Sequence, residues 1–361
     1  MTSESTRTIF PAKGDGANLL ITSLCNQSCP YCFLKGWVTS DPAVAEHMSL
    51  SDLDRVIDWL QVMGFDNVKL LGGEPTLHPQ FMDIVRRLIE RKVHIDCILT
   101  NGLAETDLYE MVNGSIETTW LINVNHPSTY SNEQWNRLNK NLEVLKWHEK
   151  GSVKRLGIDV NSQKLQLAIT FYEPDQDYSY IIDLAKRFGV FFIRYAPSHP
   201  SSDLKNEHVD FEKFAIMKST LLRFFRDCAR EDIRPNLECA IPACAFTQKE
   251  LNYMSLFTEN TLFECTPHID VMPDLSITYC ATMKDIIPRY QVGEMQFDET
   301  LAHLFRDAVP YKGLVLPRCK GCAMFANAFC QGYCLRYKAE FLNDARRSVS
   351  SSGQGRTNER A

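Results

Sequence analysis

The chain has 361 residues, 44% hydrophobic and 11% aromatic, enough for a full core and more than one ordinary domain. A formal net charge of -6 excludes the broad basic field that neutralises nucleic-acid phosphates, and no window reaches the ~18 apolar residues of a membrane span. Thirteen Cys follow a polar start without an apolar export segment, so they point to metal or redox chemistry in the cytoplasm rather than to a disulfide framework.

Residues 1–15 read as an N-terminal extension. Residues 17–23 predict a first strand that runs straight into a cysteine loop, Cys25-Asn26-Gln27-Ser28-Cys29-Pro30-Tyr31-Cys32-Phe33. Over 49–63, Ser49 and Ser51 supply cap chemistry, and Leu53, Val56, Ile57 and Leu60 recur at helical spacing. A strand over 67–71 ends at Gly72-Gly73-Glu74-Pro75. A helix over 79–91 follows, with Phe81, Ile84, Val85 and Leu88 on one face. Strands are predicted over 93–100, 120–124, 165–171 and 190–195, and helices over 107–112, 131–150, 178–188 and 211–230. This alternation predicts right-handed crossovers and a parallel sheet, which places ligands at the carboxyl ends of its strands. After residue 235 Cys becomes dense, strands shorten and helices thin out. The expected organisation is therefore a core over 16–234, a small Cys-rich α+β domain over 235–345 and a polar, disordered tail over 346–361.

Two motifs carry the chemistry. An iron-sulfur cluster ordinarily takes four Cys, so C-x3-C-x2-C at Cys25, Cys29 and Cys32 can hold three irons and leave the fourth open. Alone, three close Cys also suit part of a zinc site, and Gly-Gly-Glu-Pro is only a turn after a strand. Together and in this order, with Phe33 after the third Cys, they resemble the radical S-adenosylmethionine (SAM) superfamily.

That resemblance implies a partial (β/α)6 TIM-like barrel and a 4Fe-4S cluster whose open iron is chelated by SAM. One electron then cleaves SAM to methionine and a 5′-deoxyadenosyl radical, which abstracts hydrogen from carbon. Glu74 and the backbone around Gly72, Gly73 and Pro75 would meet the SAM ammonium. Thr100, Asn101, Asn123 and Asn125 suit ribose hydroxyls, and Tyr31 and Phe33 would flank the adenine. Arg194 and Tyr195 are weaker adenine-side candidates, and the region of Lys154 and Arg155 is a candidate for the SAM carboxylate. For Asn123, Asn125 and Arg194 a local turn or cap role stands level with the cofactor role.

The C-terminal cysteines are Cys239, Cys244, Cys265 and Cys280, then Cys319-x2-Cys322-x7-Cys330-x3-Cys334. They resemble the SPASM extension of radical SAM enzymes, a twitch-like domain that in relatives holds two auxiliary 4Fe-4S clusters. By that resemblance Cys265, Cys280 and Cys334 belong to the first cluster with Cys239 or Cys244, and Cys319, Cys322 and Cys330 to the second. Three departures stand out: a spacing of seven in place of five, Leu275 where the pattern has Gly, and no Cys after Cys334 to complete the second cluster. The spare upstream Cys, a carboxylate or substrate would fill that position, or it stays open. A four-Cys zinc knuckle over 319–334 is the rival reading. Cys97 and Cys228, in apolar settings, read as core residues.

The resemblance implies a maturase that modifies a peptide or protein. It would take electrons from an external donor such as flavodoxin or ferredoxin. With the first strand so near Met1, a leader peptide would need a separate binding protein or direct docking on the barrel. The alternatives are radical oxidation, epimerisation or rearrangement of a sugar, aminocyclitol or nucleoside, and a non-catalytic cluster- or zinc-binding protein.

Overall fold

Six parallel strands with helices on their outer face form the body of the molecule in a computed structural model. The structure describes residues 16–342 except 63, 147–153, 156–157, 160–164, 259–262, 264 and 266–268. The extension over 1–15 and the tail over 346–361 lie outside the described residues. The elements run β1 (Ala17–Leu20), α1 (Leu50–Val62), β2 (Asn67–Leu71), α2 (Phe81–Glu90), β3 (His94–Thr100), α3 (Thr106–Ser115), β4 (Thr119–Asn123) and α4 (Asn132–Leu145). A hairpin of two-residue strands, β5 (Lys154–Arg155) and β6 (Ile158–Asp159), precedes β7 (Leu165–Phe171), α5 (Ser179–Phe188) and β8 (Phe192–Pro197). The order β1-β2-β3-β4-β7-β8 is parallel throughout, as the alternation predicts, and its six strands fit the partial (β/α)6 barrel that the resemblance implies.

Local chemistry explains the helices. Ser49 Oγ accepts from Asp52 N at 3.1 Å and starts α1, and a Ser131–Gln134 capping box starts α4. Phe81, Ile84, Val85 and Leu88 of α2 are all buried. Alternation along the strands separates two faces. Leu70, Ile98, Trp120, Ile122, Leu167 and Ile193 enter the main core under the helices. Cys97, Leu121 and Ala168 form a small separate cluster. Cys228, with no exposure, is a core residue of α6 (Phe211–Arg230).

The sheet does not stop at residue 235. It gains β9 (Arg234–Leu237), parallel to β8, on one side. After α7 (Gln248–Ser255), β10 (Asp270–Val271) joins parallel to β1 on the other side, followed by antiparallel β11 (Ser276–Thr278) and β12 (Tyr290–Gln291), which makes ten strands in this sheet among the described residues. Among the short helices of this region one is long. The helix α8 (Phe297–Lys312) has 16 residues and buries Phe297, Leu301, Leu304 and Ala308, with Pro310 confined to its last turn. It docks against the start of the barrel: the Phe297 ring lies 4.7 Å from that of Trp59 and 4.5 Å from that of Phe65, and Trp59 Nε1 donates to Met295 O at 3.0 Å. Such aromatic pairs contribute about 0.5–1.5 kcal/mol beyond their burial. A last helix, α9 (Ala323–Ala326), follows Cys322.

At Leu275 the structure shows why the related pattern favours Gly. Leu275 has φ 64 and closes the β10–β11 turn, with its N–H donating to Met272 O at 3.0 Å. A left-handed residue after Pro273-Asp274 gives the hairpin the twist its strands need. Leu275 holds that position by burying its side chain, 4% exposed, in the main core.

Candidate functional site: a cysteine loop and cavity at the strand ends

Beyond β2 the chain presses onto the backbone that leads from β1 to Cys25. Gly73 N donates to Thr22 O and Glu74 N to Leu24 O, both at 2.7 Å. A Cβ on Gly72 would lie 2.5 Å from Thr22 O, and one on Gly73 2.4 Å from Leu24 O, so only glycine permits the approach. The cysteine loop is held from its other side by Cys25 N donating to Thr39 O at 2.8 Å and Ser23 N to Glu46 O at 2.9 Å.

Glu74 is 1% exposed. Its Oε1 accepts from Thr76 Oγ1 at 2.6 Å, Thr76 N at 3.2 Å and Thr100 Oγ1 at 2.6 Å, while Oε2 accepts from Asn101 N at 2.7 Å. The carboxylate thereby ties the end of β2 to the end of β3. Burial raises its pKa, and the hydrogen bonds from Asn101, Thr100 and Thr76 oppose that rise. Asn101 Nδ2 reaches on to Asn26 Oδ1 at 2.7 Å, inside the cysteine loop.

Asn123 and Asn125, at the end of β4, meet the loop as well. Asn123 Nδ2 donates to the Tyr31 hydroxyl at 2.8 Å, and that hydroxyl donates to Asn125 Oδ1. Asn125 Nδ2 donates to Gln27 Oε1 at 2.7 Å and to Cys29 Sγ at 3.3 Å. Tyr31 also faces Tyr172, with ring centroids 5.1 Å apart. Five of the residues singled out from sequence, Glu74, Thr100, Asn101, Asn123 and Asn125, are thus linked into the surroundings of the cysteine loop. Phe33 is 42% exposed and lies outside the cavity lining. Arg194 forms an ion pair with Glu238. Tyr195 lies on the other face of its strand, 1% exposed among Phe171, Phe224 and Phe225, which removes it from the adenine side. Lys154 and Arg155 form β5, and their side chains lie outside the described residues.

A cavity of about 510 Å³ opens beside Cys29 and Tyr31. Its wall includes His126 after β4 and Glu173, Asp175 and Asp177 after β7, with no Lys or Arg lining it among the described residues. These acids and Gln27 were not legible as site residues from spacing. The signal available was their position just after strands, where an open parallel sheet receives ligands.

The thiols fit a cationic partner. Burial pushes Cys25 up to about 12, with the Glu74 charge adding to the rise, and pushes Cys32 up to about 11. A thiolate ligates, and metal coordination is what removes its proton at neutral pH. Among the described residues, no three His, Cys, Asp or Glu side chains stand close enough for one metal ion, in this loop or elsewhere. In the C-terminal region, Cys322 N donates to Cys319 O at 3.2 Å in a turn made by Gly321 with φ 73. Gly332 N donates to Cys330 Sγ at 3.4 Å, and a Cβ on Gly332 would lie 3.2 Å from Cys319 Sγ. Cys239, Cys265, Cys280 and Cys334 form a second neighbourhood: the last three raise Cys239 by their charge, after burial, and Cys280 and Cys334 do the same to Cys265.

Residues 19–185 match the family model described as the Radical SAM superfamily. Over 85 residues it is 32% identical to GTP 3′,8-cyclase of Edwardsiella ictaluri, covering 23% of this chain and 26% of that protein. The GTP 3′,8-cyclase of Chlorobaculum tepidum is 30% identical over 106 residues, 28% of this chain and 31% of that protein. The chain thus spans between about a quarter and a third of the length of these curated relatives. Among solved structures, Streptococcus suis SuiB bound to S-adenosylmethionine superposes with a TM-score of 0.60 at 14% identity, over 88% of this chain and 72% of that one. Native anSMEcpe with bound AdoMet and Kp18Cys peptide does so with a TM-score of 0.60 at 14% identity, over 89% of each chain. At such identities the likeness is one of fold.

Proposed function

We propose that this chain is a radical SAM maturase that modifies a carbon of a peptide or protein. Cys25, Cys29 and Cys32 would hold the 4Fe-4S cluster, and the C-terminal cysteines would hold auxiliary clusters. The observation that carries the reading is the meeting of the cysteine loop, the Glu74–Thr100–Asn101 junction and an acid-lined cavity at one end of the sheet. When bound, the cluster and SAM supply one electron and an adenosyl radical that removes hydrogen from substrate carbon.

The chain's own residues bind and orient. Gly72 and Gly73 let β2 reach the cysteine loop. Three donors fill Glu74 Oε1, and Oε2, with one donor, keeps acceptor capacity for the SAM ammonium. Asn101, Asn123 and Asn125 present amides toward the loop, where ribose hydroxyls would exchange with their present partners. Tyr31 and Tyr172 wall the cavity with aromatic surface and shield the reacting carbon from water.

Substrate class follows from the charge of the lining. Glu173, Asp175 and Asp177 favour amide and cationic groups such as those of a peptide, and repel a triphosphate. Two fold neighbours support the peptide reading: SuiB has been solved bound to precursor peptide SuiA, and anSMEcpe with Kp18Cys peptide. The local match to GTP 3′,8-cyclase favours a nucleotide as the second reading, but a nucleotide triphosphate would need cations, and none line the cavity among the described residues. A flavodoxin or ferredoxin would supply the electron in a reducing cytoplasm that keeps the free Cys reduced, and a leader peptide would dock directly or through a separate binding protein.

Anaerobically iron-loaded, dithionite-reduced protein is expected to release 5′-deoxyadenosine from SAM. Release is expected to rise with a short peptide encoded beside its gene and not with GTP. Absence of 5′-deoxyadenosine overturns the radical reading; stimulation by GTP alone overturns the peptide reading.

A further inference from the structure

We infer that Arg336, two residues after Cys334, is a positioning residue for the loop of Cys25, Cys29 and Cys32, and that it acts through the buried segment 198–209 that follows β8. The inference rests on the reading of that loop as the one that meets SAM. It adds a link that spacing does not show: the C-terminal region sets the place of the barrel's cysteine loop from outside the cavity.

One end of the link is a set of contacts on the backbone of the cysteine loop. Glu207 N donates to Pro30 O at 2.8 Å, and Asn206 Nδ2 donates to Tyr31 O at 3.1 Å. The same amide nitrogen donates to His199 O at 2.8 Å, while Asn206 Oδ1 accepts from Ser201 N at 2.8 Å. Pro30 and Tyr31 stand between Cys29 and Cys32, so these bonds fix the backbone that spaces two of the three thiols. Just past the loop, Gly36 at φ 89 lies against the same segment: a Cβ there would fall 2.3 Å from Asp203 Oδ2. Ser198, Ser201 and Asn206 are all buried. Loops ordinarily run over the surface because burial strands their polar groups. Here the Asn206 amide and the Glu207 N–H are spent on the cysteine loop.

The other end is gripped by the C-terminal region. Arg336 is 4% exposed, and its planar fork fits two successive carbonyls: Nε donates to Ser201 O at 3.2 Å and Nη2 to Ser202 O at 3.0 Å. Ser201 O also accepts from Leu204 N at 3.1 Å, which closes a turn with Leu204 at φ 61. Tyr333, fully buried at φ 92, donates its hydroxyl to Val209 O at 2.7 Å, and Val209 N donates to Ser198 O at 2.9 Å. The His199 ring packs 5.6 Å from that of Tyr333. Leu204 and Tyr333 thus hold backbone conformations that only glycine adopts freely, and such residues persist where their surroundings over-determine them. Without the guanidinium, the Ser201 and Ser202 carbonyls lose a charged donor and the Leu204 turn loses its brace. The slack passes through Asn206, which binds Ser201 on one side and Tyr31 on the other.

The first measurement is hydrogen–deuterium exchange on the full chain, anaerobically iron-loaded and without SAM. In Arg336→Gln the amides of 198–209 and of 29–37 are expected to exchange roughly tenfold to a hundredfold faster, the range for losing a charge-assisted bond to a buried carbonyl. The strands β2, β3 and β4 should keep their wild-type protection. Arg336→Lys keeps the charge without the fork and should fall between Gln and wild type; full restoration by Lys would assign the effect to charge and overturn the inference. Asn206→Ala cuts the link nearer the loop, should loosen 29–37 as well, and decides the matter if Arg336→Gln fails to fold. The second measurement is equilibrium SAM binding, expected to be weaker in Arg336→Gln and in Asn206→Ala with iron and sulfide retained. Unchanged exchange over 29–37, equal acceleration across the barrel strands, or wild-type SAM affinity despite faster exchange would each overturn the inference. Wild-type protein that binds no SAM would instead overturn the reading of the site, with the exchange result still deciding the link.

Discussion

Cys25, Cys29 and Cys32 lie in one loop that leaves β1, pressed between the Gly72–Gly73 backbone and the strand-like return at Thr39. The eight C-terminal cysteines come from the turn after β9, the segment before β10, the end of β11 and the segments around α9. The first arrangement supplies three thiols from eight residues, with Asn26, Asn101 and Asn125 drawn in around them. The second assembles each group from distant parts of the chain around a buried Lys338. A local triad can leave one position for a small cofactor, whereas a site gathered from separate segments joins them as a clamp and contributes to folding when loaded.

The largest effect expected from this contrast is loss of all SAM cleavage on replacing Cys25, Cys29 and Cys32 together by Ala, with C-terminal iron retained. Iron, sulfide and 5′-deoxyadenosine assays on one preparation check it. Loss of all iron would erase the distinction between the two regions. Next, Cys322→Ala is expected to keep 5′-deoxyadenosine formation with dithionite while product formation collapses, because an oxidised product must pass an electron to a thiolate-held cluster. Circular dichroism must show the variant folded. A wild-type rate of product would refute the relay.

Acid should weaken the support beneath the barrel loop. His78 is 4% exposed, donates from Nε2 to Met48 O at 3.0 Å and accepts from Gln80 N at Nδ1 at 3.0 Å. Burial lowers its pKa from 6.5 to about 4, opposed by the Met48 bond. The unfolded state therefore binds the proton first: the stabilisation is complete above about pH 6.5 and is lost as pH falls toward about 4, on the order of 3 kcal/mol over that window. Thermal melts of wild type and His78→Gln across the window measure it. Parallel pH profiles would assign the acid sensitivity elsewhere.

Glu74→Gln carries the smallest expected effect, a SAM affinity about tenfold to a hundredfold weaker with cluster content retained, the range for losing one charge-assisted hydrogen bond of about 1.5–3 kcal/mol. Equilibrium SAM binding separates the two duties of this carboxylate. A lower melting temperature with unchanged affinity would limit Glu74 to joining β2 and β3.

Legibility differed between the regions for physical reasons. The helical faces of α1 and α2 and the six barrel strands follow from side-chain period, which is a local property. The burial of Tyr195 was missed because strand parity puts neighbouring residues on opposite faces, and only the register of β8 against β7 and β9 says which face is which. The length of α8 was missed because Cys-rich sequence suggested irregular structure, yet Phe297 finds Trp59 and Phe65 of the distant barrel start to bury it.

By itself the sequence determined the resemblance to the superfamily, the alternating fold and the Cys25–Cys29–Cys32 loop, because each is written in spacings of a few residues. Tertiary structure alone decided that Glu74 bridges two strand ends, that three acids line the cavity, and that β9 and β10 extend the barrel sheet. Those outcomes depend on groups far apart in the chain, brought together by burial of aromatic and aliphatic surface that no local pattern encodes.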